Sequence, residues 1–201
     1  MAYSDFTLKK VKEEFGINVV ENRGVFSHLK GAEVSDILQT ILGYNVPLAM
    51  AIGTEKARSE MIVVNVLIEV KKILDEEISI FSGVNFDVDK ERSLNGFCDF
   101  IISKSQEQFY INAPVIAIVE SKDDKTTSGL GQCIAEMYAS TIFNEKEGQQ
   151  LSAIYGVITT GSNWRFLKYK DKTAFIDLDE YPIENVGRII GILLQMINQS
   201  A

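Results

Sequence analysis

One histidine and two cysteines are the only imidazole and thiol metal donors among the side chains of this 201-residue chain. His28 has neither a nucleophile nor an orienting carboxylate motif beside it, which removes histidine triads and His-rich zinc sites from consideration. Cys98 and Cys133 stand in unrelated contexts outside any metal-binding cysteine pattern, and read as reduced, buried thiols rather than a disulfide. Positive charge is also short. Twenty Lys and Arg against 28 Asp and Glu give a net charge of -8, which argues against holding nucleic acid by bulk electrostatics. It leaves room for a compact site in which metal ions and a few local cations supply the positive field. No apolar run approaches the ~18 residues of a spanning helix. The first residues, Met1 to Asp5, lack a basic stretch followed by an apolar one. A cytoplasmic protein without a membrane partner is therefore expected. No repeat, low-complexity tract or linker divides the chain.

What is present alternates helical and extended patterns around one core. Thr7 to Phe15 reads as a short helix with Leu8, Val11 and Phe15 on one face and Gly16 as its stop. Ser35 to Leu42 reads as a second helix, and Pro47 to Ile52 as an apolar extended segment. A long helix is predicted over Thr54 to Leu74, with Val63, Val64, Val66, Leu67, Val70 and Leu74 on its apolar arc. At about 100° per residue, Glu60 falls inside the edge of that arc and Glu69 nearly opposite its centre. Ile78 to Val88 is strand material. Gly96 to Ile102 and Val115 to Lys122 read as two central strands, and Gly129 to Phe143 as a crossover helix. Ile154 to Thr160, Trp164 to Lys170 and Thr173 to Leu178 follow as strands, with a tight turn at Gly161-Ser162-Asn163. Ile183 to Ile197 closes the chain as an apolar helix, a core element or else a homodimer face. The order of elements is that of an α/β domain.

The chemistry gathers at the ends of the two central strands. Side chains alternate along a strand, so Glu120 and Lys122 share a face, Ser121 points away, and Asp99 faces away from Cys98 and Phe100. Asp99 and Glu120, with the Ser121 carbonyl, suit a hard divalent cation, Mg²⁺ or Mn²⁺. Lys122 would orient or deprotonate a water, or stabilise charge on a phosphate. Glu60 would add a carboxylate from the long helix, and Gln132 would fix Lys122, the water or a phosphate oxygen. A Glu-x-Lys pair on a strand usually makes ion pairs on a solvated face. Here the pair follows the continuous apolar run Val115 to Val119, as in a strand buried on both faces. It arrives at the C-terminal end, where open α/β sheets bind ligands. Lys125 in the next loop, and Lys168 and Lys170, which alternate with Lys172 on a later strand, are candidate nucleic-acid contacts. Lysines guarding an edge strand would look the same.

The series Glu60, Gly96-Phe97-Cys98-Asp99-Phe100, Val119-Glu120-Ser121-Lys122 and Gln132 resembles the PD-(D/E)XK nuclease superfamily. Tyr155 to Phe166 is similar to the segment after the crossover helix in its branch containing type I restriction subunits. The resemblance covers about Thr54 to Tyr169. It implies a restriction endonuclease-like mixed central β-sheet flanked by helices, in a single domain: an N-terminal helical extension over 1–53, a nuclease-like core over 54–170 and a C-terminal strand and helix over 171–201. It implies metal-dependent phosphodiester hydrolysis, with Glu60 as the helix acid, Asp99, Glu120 and Lys122 as the catalytic set, and nucleic acid, DNA above all, as the partner. Where the exonuclease-type branch often carries Tyr four residues after the glutamine, this chain has Glu136, which argues against exonuclease-like processing. A nuclease-fold module that binds nucleic acid or a partner without cleaving is the alternative. An unrelated acidic-site hydrolase, as in glycoside cleavage, is a third.

Overall fold

The computed structural model describes residues 2–199. Eight strands form one mixed sheet: β1 Asn18–Asn22, β2 Ser79–Asn85, β3 Phe97–Ser103, β4 Val115–Ser121, β5 Ile154–Thr159, β6 Asn163–Lys170, β7 Thr173–Asp177 and the short β8 Tyr181–Pro182. The spatial order is β1-β7-β6-β5-β4-β3-β2, with β8 pairing β6. The β4–β5 and β1–β7 pairs are parallel; all others are antiparallel. Because β1 extends the main sheet, residues 1–53 are not a purely helical extension.

Helices cover both faces: α1 Leu8–Phe15, α2 Asp36–Ile52, α3 Glu55–Arg58, α4 Val64–Ile73, α5 Leu130–Lys146 and α6 Val186–Gln199. Side-chain caps start the early ones. The Thr7, Ser35 and Thr54 hydroxyls accept from the backbone N–H three residues on, and Gly16 and Gly53 stop α1 and α2 in left-handed conformation. On one face Ile62, Val66, Leu67 and Val70 pack with Phe100, Val119, Val157, Trp164 and α6. On the other, α1 and α5 pack against Ile101, Ile118 and Ile158. Each central strand contributes to both clusters, so β4 is buried along its whole length. No helix among the described residues is long and apolar enough to cross a membrane.

Two expectations are corrected. The segment Pro47 to Ile52 is not extended: α2 runs through Pro47 to Ile52. Proline removes the bond to the carbonyl four residues back, and that residue is the exposed Gly43, which has no side chain for the ring to meet and whose carbonyl water can reach. Glu69 is buried, because α2 lies over α4 and Glu69 accepts the Ser35 backbone N–H at 2.9 Å. The apolar face of α6 is core, with Ile189, Ile190, Ile192, Leu193 and Met196 buried, the first of the two readings given for it. Outward apolar residues lie instead on α2, at Ile37, Tyr44, Leu48 and Ile52.

Between α3 and α4 the long helix opens into a wide π turn, Ser59–Val63. The Met61 carbonyl accepts two side-chain amides there, Asn45 Nδ2 and Asn65 Nδ2, each at 2.9 Å. Such turns are rare and often lie beside functional sites.

Candidate functional site

Four elements converge at the C-terminal end of β4. Asn144 fixes α5 against the strand's other end, exchanging two 2.8 Å bonds with the Val115 backbone. Gly156 removes any side chain from β5 where Cys133 and Met137 of α5 press on it. These contacts bring the first turns of α5 over Glu120 and Lys122.

Glu120 is buried and paired. Lys122 Nζ lies 3.1 Å from Glu120 Oε2 and donates to Gln132 Oε1 at 3.2 Å, while Gln132 Nε2 donates to Glu120 Oε2 at 2.6 Å. The ammonium is thus held in a closed triangle with one carboxylate and one amide. Gly129 is required beside it, since a Cβ there would stand 2.8 Å from Lys122 Cε. Asp99 is half-buried on the neighbouring strand. Its Oδ2 accepts the Ser121 N–H at 2.7 Å, and its own N–H reaches Glu120 Oε1 at a long 3.4 Å. Ser121 is buried.

Burial lowers the Lys122 ammonium, but attraction to Glu120, Asp99 and Glu55 outweighs that and leaves it raised. It is therefore a fixed cation, suited to stabilising negative charge rather than to accepting a proton. Burial, then repulsion from Asp99, pushes Glu120 up to about 7 against the pull of Lys122. Burial and the Glu120 charge hold Glu136 well above the ordinary carboxylate range.

The sign of the pH effect follows. Both acids bind protons more tightly folded than unfolded. Their stabilisation is complete below about pH 4.5; for Glu120 it is lost as pH rises through about 7, and Glu136 acts in the same direction. For Glu120 alone the loss is on the order of 3 kcal/mol. Urea unfolding across pH 5 to 8 in chelator is expected to show falling stability, and Glu136→Gln to flatten the slope. A flat wild-type profile would contradict the burial of these acids as charge-costing groups.

Glu60 does not point toward the core. That residue is exposed and pairs with Lys56 at 2.6 Å. Its phase was extrapolated from the apolar arc back through the π turn, which does not keep 100° per residue. Glu55, one position after the Thr54 cap, faces the site instead: its carboxyl is raised by burial, and it feels Lys122, Asp99 and Asp123. The only sequence signal for it was its place in a first helical turn. Nearby, Arg58 donates to the Asp123 carbonyl and ties down the loop after β4.

Two further residues had no signal strong enough to find them. Glu136 lies one turn beyond Gln132, which donates to its Oε1 at 3.0 Å. Cys98 was expected to face away from Asp99 in strict alternation. Instead it joins the same cluster as Ile101, so the alternation breaks near Asp99, opposite Gly83 with its φ of 60°. Among the described residues the one group of donors close enough to share an ion is Cys98, Glu120 and Glu136, within 4.8 Å of one another. Glu55, Asp99 and Glu120 do not form so tight a set.

The basic candidates separate. Lys125 is exposed in the loop after Lys122. Lys168 pairs with Tyr155, which is level with Ala117, so it lies about 10 Å along the strands from the level of Glu120. Its ammonium stands 5.9 Å from the Tyr155 ring centre. Lys170 lies farther still, and Lys172 sits in the turn before β7 with φ of 56°. Lys168 and Lys170 are therefore remote from the acids. Trp164 is fully buried, its Nε1 donating to the Gly161 carbonyl at 3.2 Å, and is core rather than a stacking platform. No protein-family model, curated protein or solved structure matches this chain.

Proposed function

We propose that this chain is a metal-dependent phosphodiester hydrolase, a DNA endonuclease of restriction endonuclease-like fold acting in the cytoplasm. The observation that carries the reading is the Lys122 ammonium locked between Glu120 and Gln132 at the end of a doubly buried strand, with Asp99 beside it. The antiparallel β2-β3-β4 unit joined by α5 to the parallel β5 supports the fold.

In chemical type the donor set suits Mg²⁺ or Mn²⁺, and its open spacing would have to close to hold one. Asp99, Glu120, Glu55 and the Ser121 carbonyl are hard oxygen donors, and three carboxylates exceed the charge of the one ammonium among them. When bound, such an ion would supply Lewis-acid polarisation and lower the pKa of a ligated water. The chain's own groups do the rest. Lys122 stabilises charge developing on the phosphate, Gln132 holds Lys122 in line, and Glu120 keeps the ammonium protonated. Lys125 offers a phosphate contact from the exposed loop. With a net charge of -8, affinity must come from these local groups, and binding should weaken without the ion.

The test is a cleavage screen over duplex, single-stranded and branched DNA, and RNA, with Mg²⁺ or Mn²⁺. Wild type is expected to cut at least one DNA substrate. Asp99→Asn should abolish cutting, Glu55→Gln should slow it by roughly 10-fold or more, and Glu60→Gln should leave it unchanged. The open spacing of the three acids favours one rival, a nuclease-fold module that binds without cleaving. Absence of cleavage together with absence of Mn²⁺ binding would overturn the enzyme reading in its favour.

A further inference from the structure

Gln132 clamps two buried carboxylates from one side. Its Nε2 donates to Glu120 Oε2 at 2.6 Å and to Glu136 Oε1 at 3.0 Å. The remaining oxygens are poorly served. Glu120 Oε1 has the long 3.4 Å contact from the Asp99 N–H, and Glu136 Oε2, on a residue with no exposure, has no hydrogen-bond donor among the described residues. An orphaned carboxylate oxygen at that depth is costly, and native chains rarely keep one without a counter-charge, a proton or an ion. The third group at this spot is the Cys98 sulfur, equally buried, with all three donors within 4.8 Å of one another.

We propose that Cys98, Glu120 and Glu136 form a second, buried cation site selective for borderline divalent ions such as Zn²⁺, Co²⁺ or Cd²⁺ over Mg²⁺. The selectivity follows from sulfur. Thiolate favours Zn²⁺ and its soft neighbours, whereas Mg²⁺ takes oxygen and keeps its waters. The size is nearly right. Metal–oxygen distances near 2.1 Å and a metal–sulfur distance near 2.3 Å put tetrahedral ligands roughly 3.5 Å apart, so the three side chains need to close by about 1 Å. As the ion binds, the thiol proton and the protons carried by the Glu120 and Glu136 carboxyls leave to solvent. Gln132 already holds the two carboxylates together, so little ordering remains to be done. Glu120 belongs to both this group and the oxygen set around Asp99. An ion held here would therefore draw Glu120 away from that set and suppress Mg²⁺-dependent turnover.

Co²⁺ titration of the reduced, metal-free protein tests the site without reference to activity. The expected result is a near-ultraviolet thiolate-to-cobalt charge-transfer band that saturates at one ion per chain. Asp99→Asn should retain the band although it is expected to lose cleavage, which separates this site from the proposed nuclease function. Cys98→Ser should lose the band, with far-ultraviolet circular dichroism confirming its fold. Glu136→Gln, which keeps shape and volume, should weaken Co²⁺ binding roughly 10-fold or more and decides the matter if Cys98→Ser does not fold. No band in the wild type, or a band that survives in Cys98→Ser and so belongs to Cys133, overturns the proposal.

Discussion

Lys122→Ala is expected to lower metal-dependent cleavage by about 10²–10⁴-fold, the range for loss of a positioned charge or proton-handling group. The size of the effect follows from how little else can replace the ammonium. Lys125 is exposed in the loop that follows, and Arg58 is committed to the Asp123 carbonyl. Nor is arginine a substitute at 122. Its bulkier head must occupy the space beside Gly129, where even a methyl would stand 2.8 Å from the lysine stem. The fold should survive the alanine change, because Gln132 still donates to Glu120 Oε2. Without the cation Glu120 is expected to hold its proton to higher pH, so melting should be compared at pH 6 and pH 8. A variant that retains full cleavage removes Lys122 from the mechanism. One that loses cleavage together with its circular dichroism leaves the two roles to be separated by Lys122→Met, which keeps the stem.

The largest loss of stability is expected at Arg165. This guanidinium is buried and spends its donors on three partners: Thr126 Oγ1 at 2.9 Å, the Asp177 carbonyl at 2.5 Å and Glu180 Oε1 at 2.9 Å. Thr126 also donates to Glu180 at 2.5 Å. Asp177, fully buried, in turn accepts the Gly24 and Phe26 N–H groups and the Tyr181 hydroxyl. Removing the arginine strands the Asp177 carbonyl in a dry interior and leaves the Thr126 hydroxyl with Glu180 alone. Breaking such a network costs roughly 3–5 kcal/mol, and the partial exposure of Glu180 places Arg165→Met near the lower end. Urea denaturation measures it directly, and a loss below about 1 kcal/mol would be at odds with this network holding the fold together. Thr126 stands in the loop that follows Lys122, so the same variant should also loosen the segment carrying Lys125.

The central strands, both long helices and the triad of Glu120, Lys122 and Gln132 were legible because each rests on short-range regularity. Val115 to Val119 is apolar without a break, Gln132 is one turn into a helix that starts after Gly129, and the Glu-x-Lys spacing places two side chains on one face. What was not legible depends on departures from period. Glu60 was misplaced because the phase of Val66 and Val70 does not carry back through Ser59–Val63. Cys98 was misplaced because the pleat breaks opposite Gly83. Pro47 looked like a breaker, since nothing local reveals that the carbonyl it orphans is solvent-facing. Glu136 was read as a departure from a resemblance, since burial of an acid depends on which helix face meets the sheet, a tertiary property. Lys168 and Lys170 share a sequence pattern with phosphate-binding strands, but the antiparallel turn before them sends β6 away from the acids.

One surplus residue in the long helix lets a single rod obey two alignments. Past the wide turn, the seam of Val66, Leu67 and Val70 is dictated by the sheet beneath it. Ahead of the turn, Glu55 is aimed by a different demand. Excising one residue from 59–63 would close the wide turn and keep both alignments, whereas inserting one more would turn the leading segment by about 100° while sparing the hydrophobic seam. The carboxylate would swing away from Lys122 over an intact interior. Where that acid points is thus governed by the length of chain between two anchors, and a further insertion there would act as a selector of chemistry rather than of folding.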